Sequence, residues 1–127
     1  MSAEVNRRRL IALGAGAAAL AATTGVASAE QAAGTPDAEL VRSLPGDFRN
    51  GYANVNGVRL HYVAGGQGEP LILLPGWPQT WWQYHKIMPS LAARYRVIAV
   101  DLRGMGGSGK PQDGYDKKTM ARDIYEL

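Results

Sequence analysis

The chain has 127 residues, 46% of them hydrophobic and 20% charged. That length allows one domain at most, since a domain takes about 100–200 residues, and the composition excludes a chain disordered throughout. There is no Cys, which excludes disulfide frameworks, thiol nucleophiles, Cys-ligated zinc and a lipid-anchored cysteine. The net charge of +3 rests largely on Arg7, Arg8 and Arg9; from residue 30 onward 11 basic residues stand against 10 acidic ones. No nucleic-acid surface is therefore expected.

The arginine cluster precedes an uncharged run of 20 residues, 10–29, rich in Ala, Gly and Leu and ending in Ala27-Ser28-Ala29. Small residues at these two spacings are a cleavage pattern. Asn6-Arg7-Arg8-Arg9-Leu10-Ile11 resembles a twin-arginine export signal. The resemblance implies that residues 1–29 are a signal peptide read by the twin-arginine machinery. Cleavage after Ala29 then leaves a periplasmic or secreted protein. A run of this length is also long enough to span a bilayer. Gly14, Gly16, Gly25, Thr23 and Thr24 keep it weakly apolar, so no stable membrane anchor is expected. Residues 30–50, punctuated by Gly34, Pro36, Pro45 and Gly46, read as a polar spacer with a short helical turn at 38–43 and no chemistry.

The folded part is expected over residues 51–127, in the α/β class. Residues 52–55 form a short strand, and Asn56-Gly57 is a two-residue hairpin signal. Residues 58–63 alternate apolar and polar, as a strand with one wet face does. His61 falls on that wet face. Leu71-Ile72-Leu73-Leu74 and Val97-Ile98-Ala99-Val100 are continuously apolar and read as parallel strands covered on both faces. Between them a helix begins at Thr80, with Gln83 placed for a capping box. It carries Trp81, Tyr84, His85, Met88, Leu91, Ala92 and Tyr95 as a stripe, and Pro89 kinks or splits it. Strand, helix and strand make a right-handed βαβ unit. Residues 116–127 are helical again, with Met120, Ile124 and Leu127 on one face.

Two loops carry the candidate chemistry. Pro75-Gly76-Trp77-Pro78 leaves the carboxyl end of a parallel strand, where such sheets bind ligands. Gly76 permits close approach, and the Trp77 backbone N–H can meet a developing negative charge. The alternative is a plain strand-ending turn with a packed Trp. The second loop, Asp101-Leu102-Arg103-Gly104-Met105-Gly106-Gly107-Ser108-Gly109-Lys110-Pro111, contains two phosphate-loop look-alikes. Both fail: Pro111 stands where magnesium needs Ser or Thr, and no helix starts at the loop. Gly106-Gly107-Ser108-Gly109-Lys110 also fails as a nucleophile elbow, because no strand enters it and its last residue is not Gly. Ser108 then reads as a loop residue, and Asp101 and Arg103 as an ion pair that ties the loop down. His85 on the helix stripe is packed or half-exposed rather than a base. With no second His and carboxylate at ligand spacing, neither a metal site nor a cofactor is expected.

Taken together, residues 51–127 resemble the amino-terminal half of an α/β-hydrolase. The resemblance rests on Asn56-Gly57-Val58-Arg59-Leu60-His61-Tyr62, on residues 71–78, on Trp81-Trp82, and on D-L-R-G-x-G-x-S-x-x-P from Asp101 to Pro111. The stretch from Gly76 to Trp82 is most similar to the epoxide hydrolase and haloalkane dehalogenase branch. That branch usually has H-G-x-P, and here Pro75 replaces the His, removing a side chain that braces the loop. The resemblance implies a sheet begun by a hairpin and a parallel βαβ unit. It also implies a small-molecule substrate and an elbow nucleophile, Asp rather than Ser. A His activates the water that cleaves the covalent intermediate, and a second acid orients that His. Trp77 supplies one oxyanion N–H. The elbow is expected after the helix that starts near Asp116. The nucleophile, acid and His then lie beyond Leu127, and the sequence as it stands is a truncated, inactive part of a hydrolase. The alternatives are a non-enzymatic exported binding module of residues 30–127, which would leave the edge of a parallel sheet bare, and a phosphate-loop nucleotide binder.

Overall fold

A computed structural model describes residues 36–127; the expected signal peptide and the start of the spacer lie outside the described residues. The elements run α1 (Pro36–Ser43), β1 (Arg49–Val55), β2 (Val58–Gly65), β3 (Glu69–Leu73), a 3-10 turn (Trp81–Tyr84), α2 (Met88–Ala92), β4 (Tyr95–Val100) and α3 (Lys117–Glu126). The strands form one four-stranded sheet in the order β1-β2-β4-β3. β1 and β2 are antiparallel, joined by Asn56-Gly57 with Val55 opposite Val58. Both turn residues have positive φ, 46° at Asn56 and 74° at Gly57, the backbone of the tight turn whose twist matches a hairpin. β3 and β4 pair in parallel, and β2 joins β4 antiparallel with Tyr62 opposite Val100.

The alternation along β4 divides the core. Val97 and Ala99 face one side, packed with Val41, Leu44, Phe48, Val63, Trp81 and Met88. Ile98 and Val100 face the other, packed with Val55, Val58, Leu60 and Leu127. β4 is therefore covered on both faces, as its continuous apolar run requires. β3 differs from that expectation: it lies at the edge of the described sheet, and Leu71, Ile72 and Leu73 are only half buried.

Three further expectations are corrected. Part of the stretch read as a spacer is core: α1 occupies residues 36–43, and Val41, Leu44 and Phe48 are buried against the sheet. The polar residues masked a sparse apolar set: Ala38 and Val41 on α1, with Leu44 and Phe48 in the segment after it, are enough to bury this stretch. The expected helix from Thr80 is a single 3-10 turn and a separate α2, with the break at residues 85–87; Pro89 sits in the first turn of α2, where its missing N–H costs no helical bond. The Thr80 side chain makes no capping bond. Finally, β2 has no simple wet face, since His61 is as deeply buried as Leu60 and Val63. At the far end α3 is capped as a helix should be: Asp116 Oδ1 accepts from the Thr119 N–H at 2.9 Å, and Thr119 Oγ1 donates to Asp116 Oδ2 at 2.6 Å.

Candidate active site

The parallel strands β3 and β4 deliver two loops to the same end of the sheet. The β3 loop holds Pro75-Gly76-Trp77-Pro78, with a cis Trp77–Pro78 peptide. Gln79 N–H donates to the Gly76 carbonyl at 2.7 Å and closes the turn. Trp77 is 81% exposed, so its ring is not packed as a strand-ending plug. A Cβ placed on Gly76 would meet nothing within 4 Å, which leaves the loop open on that side. Among the described residues the Trp77 N–H has no acceptor.

The β4 loop is built around Asp101, which follows the last residue of the strand and is fully buried. Its Oδ1 accepts from the Trp81 backbone N–H at 2.7 Å. Its Oδ2 faces His61 Nδ1 at 2.8 Å and accepts from the Gly107 N–H at 3.0 Å. Burial alone pushes the Asp101 carboxyl up, but the bonds from His61, Gly107 and Trp81 outweigh it and hold the group below its ordinary value. Ser108 completes the link: its hydroxyl donates to the Asp101 carbonyl at 2.6 Å and accepts from the His61 N–H at 2.8 Å. His61 Nε2 faces Asn50 Oδ1 at 2.9 Å. Asp37 on α1 accepts from the Trp81 indole N–H at 2.9 Å.

One carboxylate thus gathers β2, the glycine-rich loop and the 3-10 turn that follows the Trp77 loop. Gly106 is required there, since a Cβ on it would coincide with the Asp101 carboxylate. The loop that imitates a phosphate loop spends its amides internally. Gly104 N–H donates to the Gly109 carbonyl, Met105 N–H to Leu102, Ser108 N–H to Met105 and Gly109 N–H to Arg59. Lys110 Nζ folds back onto the Gly106 and Ser108 carbonyls. What the loop cradles is the carboxylate of its own chain.

Asp37, His61 and Asp101 bring three potential ligand atoms within 4.8 Å of one another, a cluster that sequence spacing did not anticipate. Both His61 nitrogens and both Asp101 oxygens already hold hydrogen-bond partners, so the cluster is arranged as a polar network. The expected Asp101–Arg103 pair does not form. Arg103 turns instead to Asp123 on α3, with Nε on Oδ2 and Nη2 on Oδ1, each at 2.7 Å. Asp101 takes His61 because antiparallel pairing of β2 and β4 sets these two residues side by side, with Asp101 N–H bonded to the His61 carbonyl at 2.9 Å. His85 is half buried and stacked on Trp82, with centroids 4.1 Å apart, in keeping with a packing role.

A sequence profile described as alpha/beta hydrolase fold matches residues 69–127. Solved structures repeat the arrangement: the epoxide hydrolase CorEH without ligand aligns with a TM-score of 0.62 and 51% identity, over 64% of this chain and 29% of that one. The fold is that of the α/β-hydrolases. Among curated proteins, the chain is similar to a soluble epoxide hydrolase of Corynebacterium sp. (strain C12), 55% identical over 75 residues, or 59% of this chain and 26% of the relative. It is also similar to a fluoroacetate dehalogenase of Burkholderia sp., 39% identical over 85 residues, or 63% of this chain and 28% of the relative. The chain therefore spans little more than a quarter of the length of these relatives, and what it holds is the α/β-hydrolase hairpin, the first parallel strand pair and their two loops.

Proposed function

We propose that the chain is the oxyanion-loop portion of an epoxide-hydrolase-like enzyme acting on small molecules. The observation that carries the reading is the placement of the turn with exposed Trp77 after the carboxyl end of β3, beside the loop that Asp101 organises at the end of β4. Similarity to a soluble epoxide hydrolase supports it. In this reading an Asp on an elbow beyond residue 127 attacks an epoxide carbon. The ring C–O bond breaks, the released alkoxide takes a proton from solvent, and an ester forms. A His-activated water then adds to the ester carbonyl. Negative charge gathers on an oxygen facing the Trp77 amide, and collapse of that intermediate frees the diol and restores the Asp. Residues 1–29 act as a twin-arginine signal, so that exchange of Arg7 and Arg8 for Lys stops export.

The test is made in the protein extended through its elbow. Trp77→Pro deletes the N–H and is expected to cost about 10²-fold or more in turnover. Trp77→Ala keeps the N–H and is expected to change the order of preferred epoxides while retaining most of the activity. Equal losses from the two variants rule out the oxyanion role, and absence of an elbow in any extended reading frame rules out the hydrolase.

A further inference from the structure

The β1–β2 turn carries a reactive pair of residues that the proposed chemistry does not use. Asn56 is bound to α3 by three contacts. Its backbone N–H donates to Glu126 Oε2 at 2.8 Å, and its side-chain amide donates to Asp123 Oδ1 at 2.8 Å and to the Thr119 carbonyl at 3.3 Å. Asn followed by Gly is the pair most open to spontaneous deamidation, because no side chain on the second residue hinders ring closure. Gly57 is unobstructed in space as well: a Cβ built on it meets nothing within 4 Å.

We propose that Asn56 is a deamidation site that the folded state holds shut and that opening of the turn releases. The reaction is a closed one. The Gly57 backbone nitrogen gives its proton to water and attacks Asn56 Cγ; a C–N bond forms, and the side-chain nitrogen takes a proton back from water and leaves the same carbon as ammonia. One water then opens the cyclic imide, giving an aspartate or an isoaspartate whose backbone runs through the former side chain. Ring closure requires the Asn56 side chain to turn onto the Gly57 nitrogen. In the folded state that turn breaks the bonds to Thr119 and Asp123, the latter strengthened by charge.

The product does not fit the place the amide leaves. Asp123 already accepts two bonds from Arg103. A carboxylate at position 56 faces it with no proton to donate and a like charge, and Glu126 adds a third negative group at the same turn. Deamidation during an unfolding excursion therefore weakens the docking of α3 onto the hairpin when the chain refolds.

The experiment needs no enzymatic activity and stands apart from the hydrolase reading. The full 127-residue chain is incubated at mildly alkaline pH in buffer and in urea, and the peptide holding Asn56 is followed by mass for amide-to-acid conversion. Conversion is expected to be at least about tenfold slower in buffer, the effect of holding the amide by two hydrogen bonds. Glu126→Ala, which frees the turn backbone, is expected to raise the rate in buffer several-fold and to leave the rate in urea unchanged. Asn56→Asp is expected to unfold at a lower temperature than the parent chain. Equal rates in buffer and urea, or a Glu126→Ala rate in buffer equal to that of the parent, overturn the gating. An unaltered unfolding temperature for Asn56→Asp overturns the consequence for α3.

Discussion

A carboxylate buried at the end of a central strand is costly unless both oxygens have donors, and Asp101 meets that condition with Trp81 on Oδ1 and with His61 and Gly107 on Oδ2. Asp101→Asn turns one acceptor into a donor facing another donor. It is expected to lower the unfolding free energy by about 2–4 kcal/mol, read from denaturant titration. The pH dependence has a fixed sign. The Asp101 carboxyl lies below its ordinary value in the folded chain, so its contribution is fully present above the unfolded value and is lost as pH falls through the folded one. Melting temperatures taken from about pH 7 down to about pH 3 should fall less steeply for Asp101→Asn than for the parent; parallel curves would count against the assignment. This residue shows what one-dimensional reading omits. The alternation of residues 58–63 assigned His61 to water, yet its partner lies 40 positions away. Only the pairing of β2 with β4, a fact of topology, brings the two together. The turn at Pro75-Gly76-Trp77-Pro78 was legible because turn formation resides in those residues themselves.

At the level of elements, local signals held where local physics decides. Asn56-Gly57 gave the hairpin, Asp116 the start of α3, and Pro89 the split of the expected helix, which falls just before it. The first helical segment departed from the same reading: the Gln83 N–H donates to the Thr80 carbonyl at 3.1 Å, the i to i+3 bond of a 3-10 turn, in place of the Thr80 side chain, while the Trp81 N–H is held from outside the segment by Asp101. α3 is held in the same non-local way, by Arg103 on Asp123 with both groups almost wholly buried. Arg103→Ala leaves the Asp123 carboxylate buried without its cation, and a loss of about 3–5 kcal/mol is expected. Arg103→Met combined with Asp123→Leu removes both charges and should cost less than Arg103→Ala alone. Urea midpoints of the three proteins measure the difference. A double variant worse than the single one would mean that the pair contributes more than mutual neutralisation.

Across the whole molecule the two sides of the sheet are unequal in cover. β4 is sealed by α1 and α2 on one face and by α3 on the other, whereas β3 has β4 on one side and, among the described residues, nothing on the other. Its apolar run, which reads as a central strand, is thus half buried, and Leu74 at its end is 44% exposed. Unpaired N–H and C=O groups beside half-exposed leucines form a template for another strand. In a longer α/β-hydrolase chain, further strands would supply that cover. A polypeptide of residues 36–127 prepared alone leaves the edge open and is expected to self-associate as its concentration rises, with sedimentation coefficients increasing accordingly. Leu74→Lys places a charge at the end of the open edge and should shift that association to higher concentration while leaving the far-ultraviolet circular dichroism of the monomer unchanged. A chain that stays monomeric at all concentrations would show that the edge is protected. A Leu74→Lys variant that associates as readily as the parent would move the contact away from β3.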